Sequence, residues 1–144
     1  MLVFDTNVLI YAVDEDSPYH DPCRQRVLQA RNDPSPAYLT WSIGYEFLRV
    51  TTHPRASASP WKPVQSWNFL SALLETPGFD LLVATSRHGA VLAQVMKELP
   101  DVSGNLFHHL RTAVLMRENG VSRICTRDTD FHRFPFLSVV DPLR

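Results

Sequence analysis

Two aspartates stand where short apolar runs stop. Asp5 follows Leu2-Val3-Phe4, and Asp128 comes shortly after Ile124-Cys125-Thr126, with Asp130 and Asp141 near further strand-like ends. Carboxylates gathered on one rim can hold a divalent cation or move a proton. Each also has an ordinary reading as a helix cap or turn residue. Glu46 lies among Ile43, Phe47 and Val50, and an ionised Glu within an apolar stripe needs a partner or a metal. Arg49, three residues on, offers the alternative of an ion pair at the stripe's edge. His109 is the other anomaly. Leu106, His109, Ala113 and Met116 follow one helical stripe, with Phe107, Leu110 and Val114 on the adjacent one, so an imidazole projects from a face meant for burial. Its ordinary reading is a core histidine satisfied by one hydrogen bond. His108 beside it reads as surface.

These residues need elements to position them. Leu2-Val3-Phe4 reads as a buried strand, and Thr6 and Asn7 as the start of a short helix through Tyr11. A second helix is predicted from Ser17-Pro18 to about Asn32, with Val27 and Leu28 inward, ended by Asp33-Pro34-Ser35-Pro36. Ala37 to Thr40 reads as a strand, followed by Ser42 capping the Glu46 helix; Pro54 to Pro63 reads as a loop. Trp67, Leu70, Ser71 and Leu74 mark a helix, Phe79 to Val83 a strand, and Val91, Leu92, Val95 and Leu99 another helix. Asn105 to Asn119 is a helix closed by Gly120. Arg123 to Thr126 and Leu137 to Val140 are the last strands. Strands separated by helices imply crossovers and a parallel sheet covered on both faces, and ligands of such sheets gather at the carboxyl ends of the strands.

The chain has 144 residues, 44% apolar and 20% charged, which suits one globular domain spanning 1–144. Fourteen Lys+Arg against fifteen Asp+Glu give a net charge of −1, so nucleic acid would have to be held at a local site and not by a bulk cationic field. Cys23 and Cys125 are the only cysteines, and His20 near Cys23 lacks the further ligands of a zinc site. Without a signal-peptide pattern or about 18 uninterrupted apolar residues, a cytoplasmic protein with no membrane association is expected.

Val3-Phe4-Asp5-Thr6-Asn7-Val8-Leu9, the helix with Glu46, and Thr126-Arg127-Asp128-Thr129-Asp130-Phe131 together resemble a PIN-domain ribonuclease toxin of the VapC type. Thr52-His53-Pro54-Arg55, Gly104-Asn105-Leu106 and Arg133-Phe134-Pro135 extend the likeness over essentially the whole chain. The resemblance implies a three-layer α/β/α sandwich with a mainly parallel sheet. It also implies cleavage of RNA at acidic residues around Mg²⁺ or Mn²⁺, a homodimer, and a small antitoxin partner. Asp5, Glu46 and Asp128 match the family's first, second and fourth acids. The third is normally Asp, and in this chain that position is His109.

On that reading Asp5 is the leading metal ligand, Asp128 a supporting one, and Glu46 a water-positioning acid. Thr6, Asn7 and Thr126 orient the carboxylates, with Asp130 in support. Imidazole suits Mg²⁺ poorly, so weak Mg²⁺ binding and reduced activity are expected. Arg49, Arg55, Lys62, Arg111, Arg127 and Arg133 are candidates to meet phosphate, and Trp41, Trp61 and Trp67 to stack bases; Trp67 is expected to pack and Trp61 to be exposed. A degenerate PIN domain that binds RNA or antitoxin without turnover is the alternative. An aspartate-dependent phosphatase is a third reading, weakened by Asn7 where such enzymes carry a second Asp.

Overall fold

Val3 pairs with Tyr38 on one side and Ile124 on the other, which puts the first strand in the middle of a sheet. The computed structural model describes residues 1–144. Its five strands are β1 (Leu2–Phe4), β2 (Ala37–Leu39), β3 (Phe79–Leu81), β4 (Arg123–Cys125) and β5 (Ser138–Val140). They lie in the order β3-β2-β1-β4-β5, and every neighbouring pair is parallel. Val3, Phe4, Ile124 and Cys125 are wholly buried, as befits central strands covered on both faces.

Six helices complete the three-layer α/β/α sandwich: α1 (Thr6–Val13), α2 (His20–Asn32), α3 (Trp41–Thr52), α4 (Pro63–Glu75), α5 (His88–Glu98) and α6 (Leu106–Glu118). In one group α1 packs on α2 and α3, and α3 on α4; in the other α5 packs on α6. A 3-10 segment, Thr129–Arg133, follows β4. No helix is long and apolar enough to cross a membrane.

The chain steps outward from β1 through β2 to β3, then returns to the far side of β1 as β4 and β5. The switch therefore falls between β1 and β4, and the carboxyl ends of these two strands carry Asp5 and Thr126. Phe4, Phe47, Phe131 and Phe134 are among the largest fully buried side chains beneath that rim.

Several local expectations are corrected by packing. The cap of α3 is Thr40, whose hydroxyl accepts from the Ile43 N–H at 3.2 Å, so Ser42 lies within the first turn and faces the rim. The second helix begins at His20 because Ser17 to Tyr19 form a turn held by the Tyr19 N–H on Ser17 Oγ. Trp67 is 44% exposed: α4 starts at Pro63 and buries Ser66, Leu70 and Leu73, which turns Trp67 outward. Trp61, by contrast, is half-buried between Phe47 and Phe69, drawn in by its N–H on the Thr51 carbonyl at 2.8 Å. Phe107 also faces outward from α6. Gly120 closes α6 at φ +72°, in the left-handed region that favours glycine.

Candidate active site

Asp5 is both cap and candidate ligand. Its Oδ1 accepts the Thr6 N–H at 2.8 Å, starting α1, while its Oδ2 accepts Thr126 Oγ1–H at 2.7 Å and Asn7 Nδ2–H at 3.0 Å. Thr126, buried at the end of β4, is the hub: its Oγ1 also accepts from Asn7 Nδ2 at 3.1 Å and from the Asp128 N–H at 2.9 Å. Asn7 Oδ1 completes the loop by accepting the Arg127 N–H at 3.1 Å. The carboxylate has about four lone-pair sites, and three are taken, which fixes its direction and leaves one free. Burial pushes the Asp5 carboxyl above its ordinary 3.8, opposed first by Thr126 and then by Thr6 and His109.

His109 reaches the same rim from α6. Its Nε2 lies 3.0 Å from Asp128 Oδ2 and 3.4 Å from Asp130 Oδ2. The ring rests on buried Phe131, with centroids 4.8 Å apart. Asp128 Oδ1 is turned the other way, capping the 3-10 segment through the Asp130 N–H at 2.9 Å. His109, Asp128 and Asp130 thus form a cluster whose ligand atoms lie within 4.8 Å of one another, with Asp5 outside it. Asp130, in the first turn of the 3-10 segment that Asp128 caps, also comes within reach of His109.

Asp5, Glu46, His109 and Asp128 line one cavity of about 580 Å³. Glu46 does not enter a buried stripe. It lies at the mouth, where Arg49 donates Nε–H at 3.1 Å and Nη2–H at 2.5 Å to its carboxylate. Those hydrogen bonds hold Glu46 below its ordinary 4.5. Arg49 is the one phosphate candidate that lines the cavity. Arg127 is turned away, its guanidinium stacked over Tyr19 at 4.1 Å. His108, Ser42, Asn105 and Thr112 also line the cavity. Asn105 and His108 carried a sequence signal, the Gly-Asn-Leu turn and the place beside His109, whereas Ser42 and Thr112 carried none. His20 bonds the Tyr11 carbonyl through Nδ1, and Cys23 is buried.

The donor set, two clustered carboxylates with an imidazole and a third carboxylate beside them, fits a divalent cation. The PIN domain model aligns with residues 2–137, almost the whole chain. The chain belongs to the PIN-domain family. Among its PIN relatives, Ribonuclease VapC33 of Mycobacterium tuberculosis is 31% identical over 147 positions, covering 100% of this chain and 99% of the relative. Ribonuclease VapC48 of the same organism is 28% identical over 139 residues, covering 96% and 95%. The PIN fold is shared with VapBC-1 from nontypeable Haemophilus influenzae, at TM-score 0.67, 18% identity and coverage of 99% and 98%. It is also shared with VapC20 of Mycobacterium tuberculosis, described as a sarcin-ricin loop cleaving toxin, at TM-score 0.62, 14% identity and coverage of 92% and 93%.

Proposed function

We propose that this chain, acting as a single PIN domain over residues 1–144, is a cytoplasmic, metal-dependent endoribonuclease toxin. The observation that carries the reading is the convergence of Asp5, His109, Asp128 and Asp130 on one rim of a PIN sheet, with Glu46 and Arg49 at the mouth. The relatives named as VapC ribonucleases supply the substrate class, RNA. Neighbouring structures described as VapBC assemblies support a small antitoxin as protein partner. A homodimer belongs to the same reading and is checked by light scattering.

Asp5, His109 and Asp128 would hold the cation, with Asp130 in support. A bound divalent cation polarises a phosphate oxygen and lowers the pKa of an attacking water. Thr126, Asn7 and Thr6 keep the Asp5 carboxylate aimed at the rim. Glu46, ionised beside Arg49, would orient a water. Arg49 offers the guanidinium to meet a phosphate.

His109 removes one hard oxygen and one negative charge from the position where the family carries Asp, so Mg²⁺-supported activity is attenuated. The test is cleavage of a defined RNA by the wild-type chain and by His109→Asp in Mg²⁺ and Mn²⁺. The variant is expected to be faster in Mg²⁺. Equal rates sink the attenuation, and binding of RNA without cleavage by either protein sinks the enzyme.

A further inference from the structure

We infer that the pocket prefers a divalent transition ion, of which Zn²⁺ and Mn²⁺ are the probes, to Mg²⁺, and takes it through His109 Nε2, Asp128 and Asp130. The inference rests on the metal dependence proposed above and names the ion class and the ligand set. Asp130 enters as a ligand, and Asp5 moves to the edge of the set.

The spacing is that of ligands sharing one centre. With bonds of about 2.0–2.2 Å, adjacent ligand atoms lie about 3.0 Å apart at octahedral angles and about 3.4 Å apart at tetrahedral ones. His109 Nε2 lies at 3.0 Å from Asp128 Oδ2 and 3.4 Å from Asp130 Oδ2. Two of the three side chains are also oriented before any ion arrives. Asp128 uses Oδ1 to cap the 3-10 segment, which leaves Oδ2 toward the imidazole. Phe131, next to Asp130 in that segment, is buried and carries the His109 ring on its face. Asp5 already accepts three hydrogen bonds and is not within the cluster. The clustered set, with His109 at its centre, therefore includes a nitrogen. Imidazole favours Zn²⁺, whereas Mg²⁺ demands oxygen and sheds its water reluctantly; Mn²⁺, an oxygen-preferring ion that still accepts nitrogen, falls between them. An internal ion pair, with His109 serving only as counter-ion to the two aspartates, is the rival account of the same contacts.

The test is calorimetric titration of the metal-free full chain with Zn²⁺, Mn²⁺ and Mg²⁺, with circular dichroism confirming that each variant folds. The wild-type chain is expected to bind Zn²⁺ at least about tenfold more tightly than Mg²⁺, with Mn²⁺ between them. His109→Asp should narrow or reverse that gap, and His109→Gln, which keeps the volume and removes the nitrogen ligand, should lose Zn²⁺ preferentially. Asp130→Asn should weaken Zn²⁺ by about tenfold or more. Three results overturn the inference: Mg²⁺ bound as tightly as Zn²⁺, Zn²⁺ held equally by wild type and both His109 variants, or no ion bound, which leaves the internal ion pair. Cleavage is read separately. Ion binding in the expected order without RNA cleavage in any ion sinks the ribonuclease reading and leaves the ligand assignment standing.

Discussion

The Thr126 hydroxyl donates to Asp5 Oδ2 at 2.7 Å, joining residues 121 positions apart. The same oxygen accepts from Asn7 and from the Asp128 backbone, so one buried atom ties β1, α1 and the loop after β4 together. Thr126→Val keeps the shape and leaves those donors and an Asp5 lone pair unpaired. The expected loss is about 1–3 kcal/mol in urea denaturation, with Thr126→Ser retaining most of the stability.

Glu118 lies at the other pole, its carboxylate wholly enclosed at the start of α5. Burial raises its pKa, but the Thr85 N–H and His88 outweigh it and hold the group below its ordinary 4.5. A carboxylate depressed in the folded state adds stability above the unfolded pKa and loses it as pH falls through the folded value. Wild type should therefore exceed Glu118→Gln in stability at pH 7, and the gap should shrink once pH drops below 4.5. A gap that stays constant across that range in urea melts refutes the assignment.

Arg49 and Glu46 are both substantially exposed, at 62% and 45% of their side-chain surface. Exposed pairs are screened by solvent and contribute little, so Arg49→Ala should leave the urea midpoint nearly unchanged. Glu46, losing the cause of its depression, should titrate nearer 4.5, which carboxyl-resolved NMR reads directly.

The two tryptophans with reversed environments should respond oppositely to truncation. Trp61→Ala removes a half-buried ring packed against Phe47 and Phe69 and should cost about 1–3 kcal/mol. Trp67→Ala, on the outer face of α4, should change stability by about 0.5 kcal/mol or less. Melting both variants alongside wild type separates the two cases.

The sheet and its rim were legible because their signals are local. An apolar run that stops at Asp marks a buried strand and its carboxyl end, and His109 was conspicuous because a 3.6-residue period singles out one polar position on an apolar face. Glu46 stayed open between two depths for the complementary reason: the stripe fixes which side of α3 it occupies, whereas the pull of Arg49 at the mouth decides how deep it lies. Trp61 and Trp67 turn on where α4 begins and on a single bond to Thr51, and neither is written in their own neighbourhood. Asp130 became a partner of His109 only through a 3-10 turn that periodicity does not announce.

The pairing of β1 with β4 also sets a schedule. The second to fourth residues of the chain wait for Arg123 to Cys125 before their strand has both neighbours, and Asp5 waits for Thr126 before its carboxylate is aimed. During synthesis, with residues added at roughly 5–20 per second, most of the polypeptide is made before the rim can close. A ribosome-bound precursor therefore carries the first acid without the site, and the pocket is assembled only as the last two strands arrive.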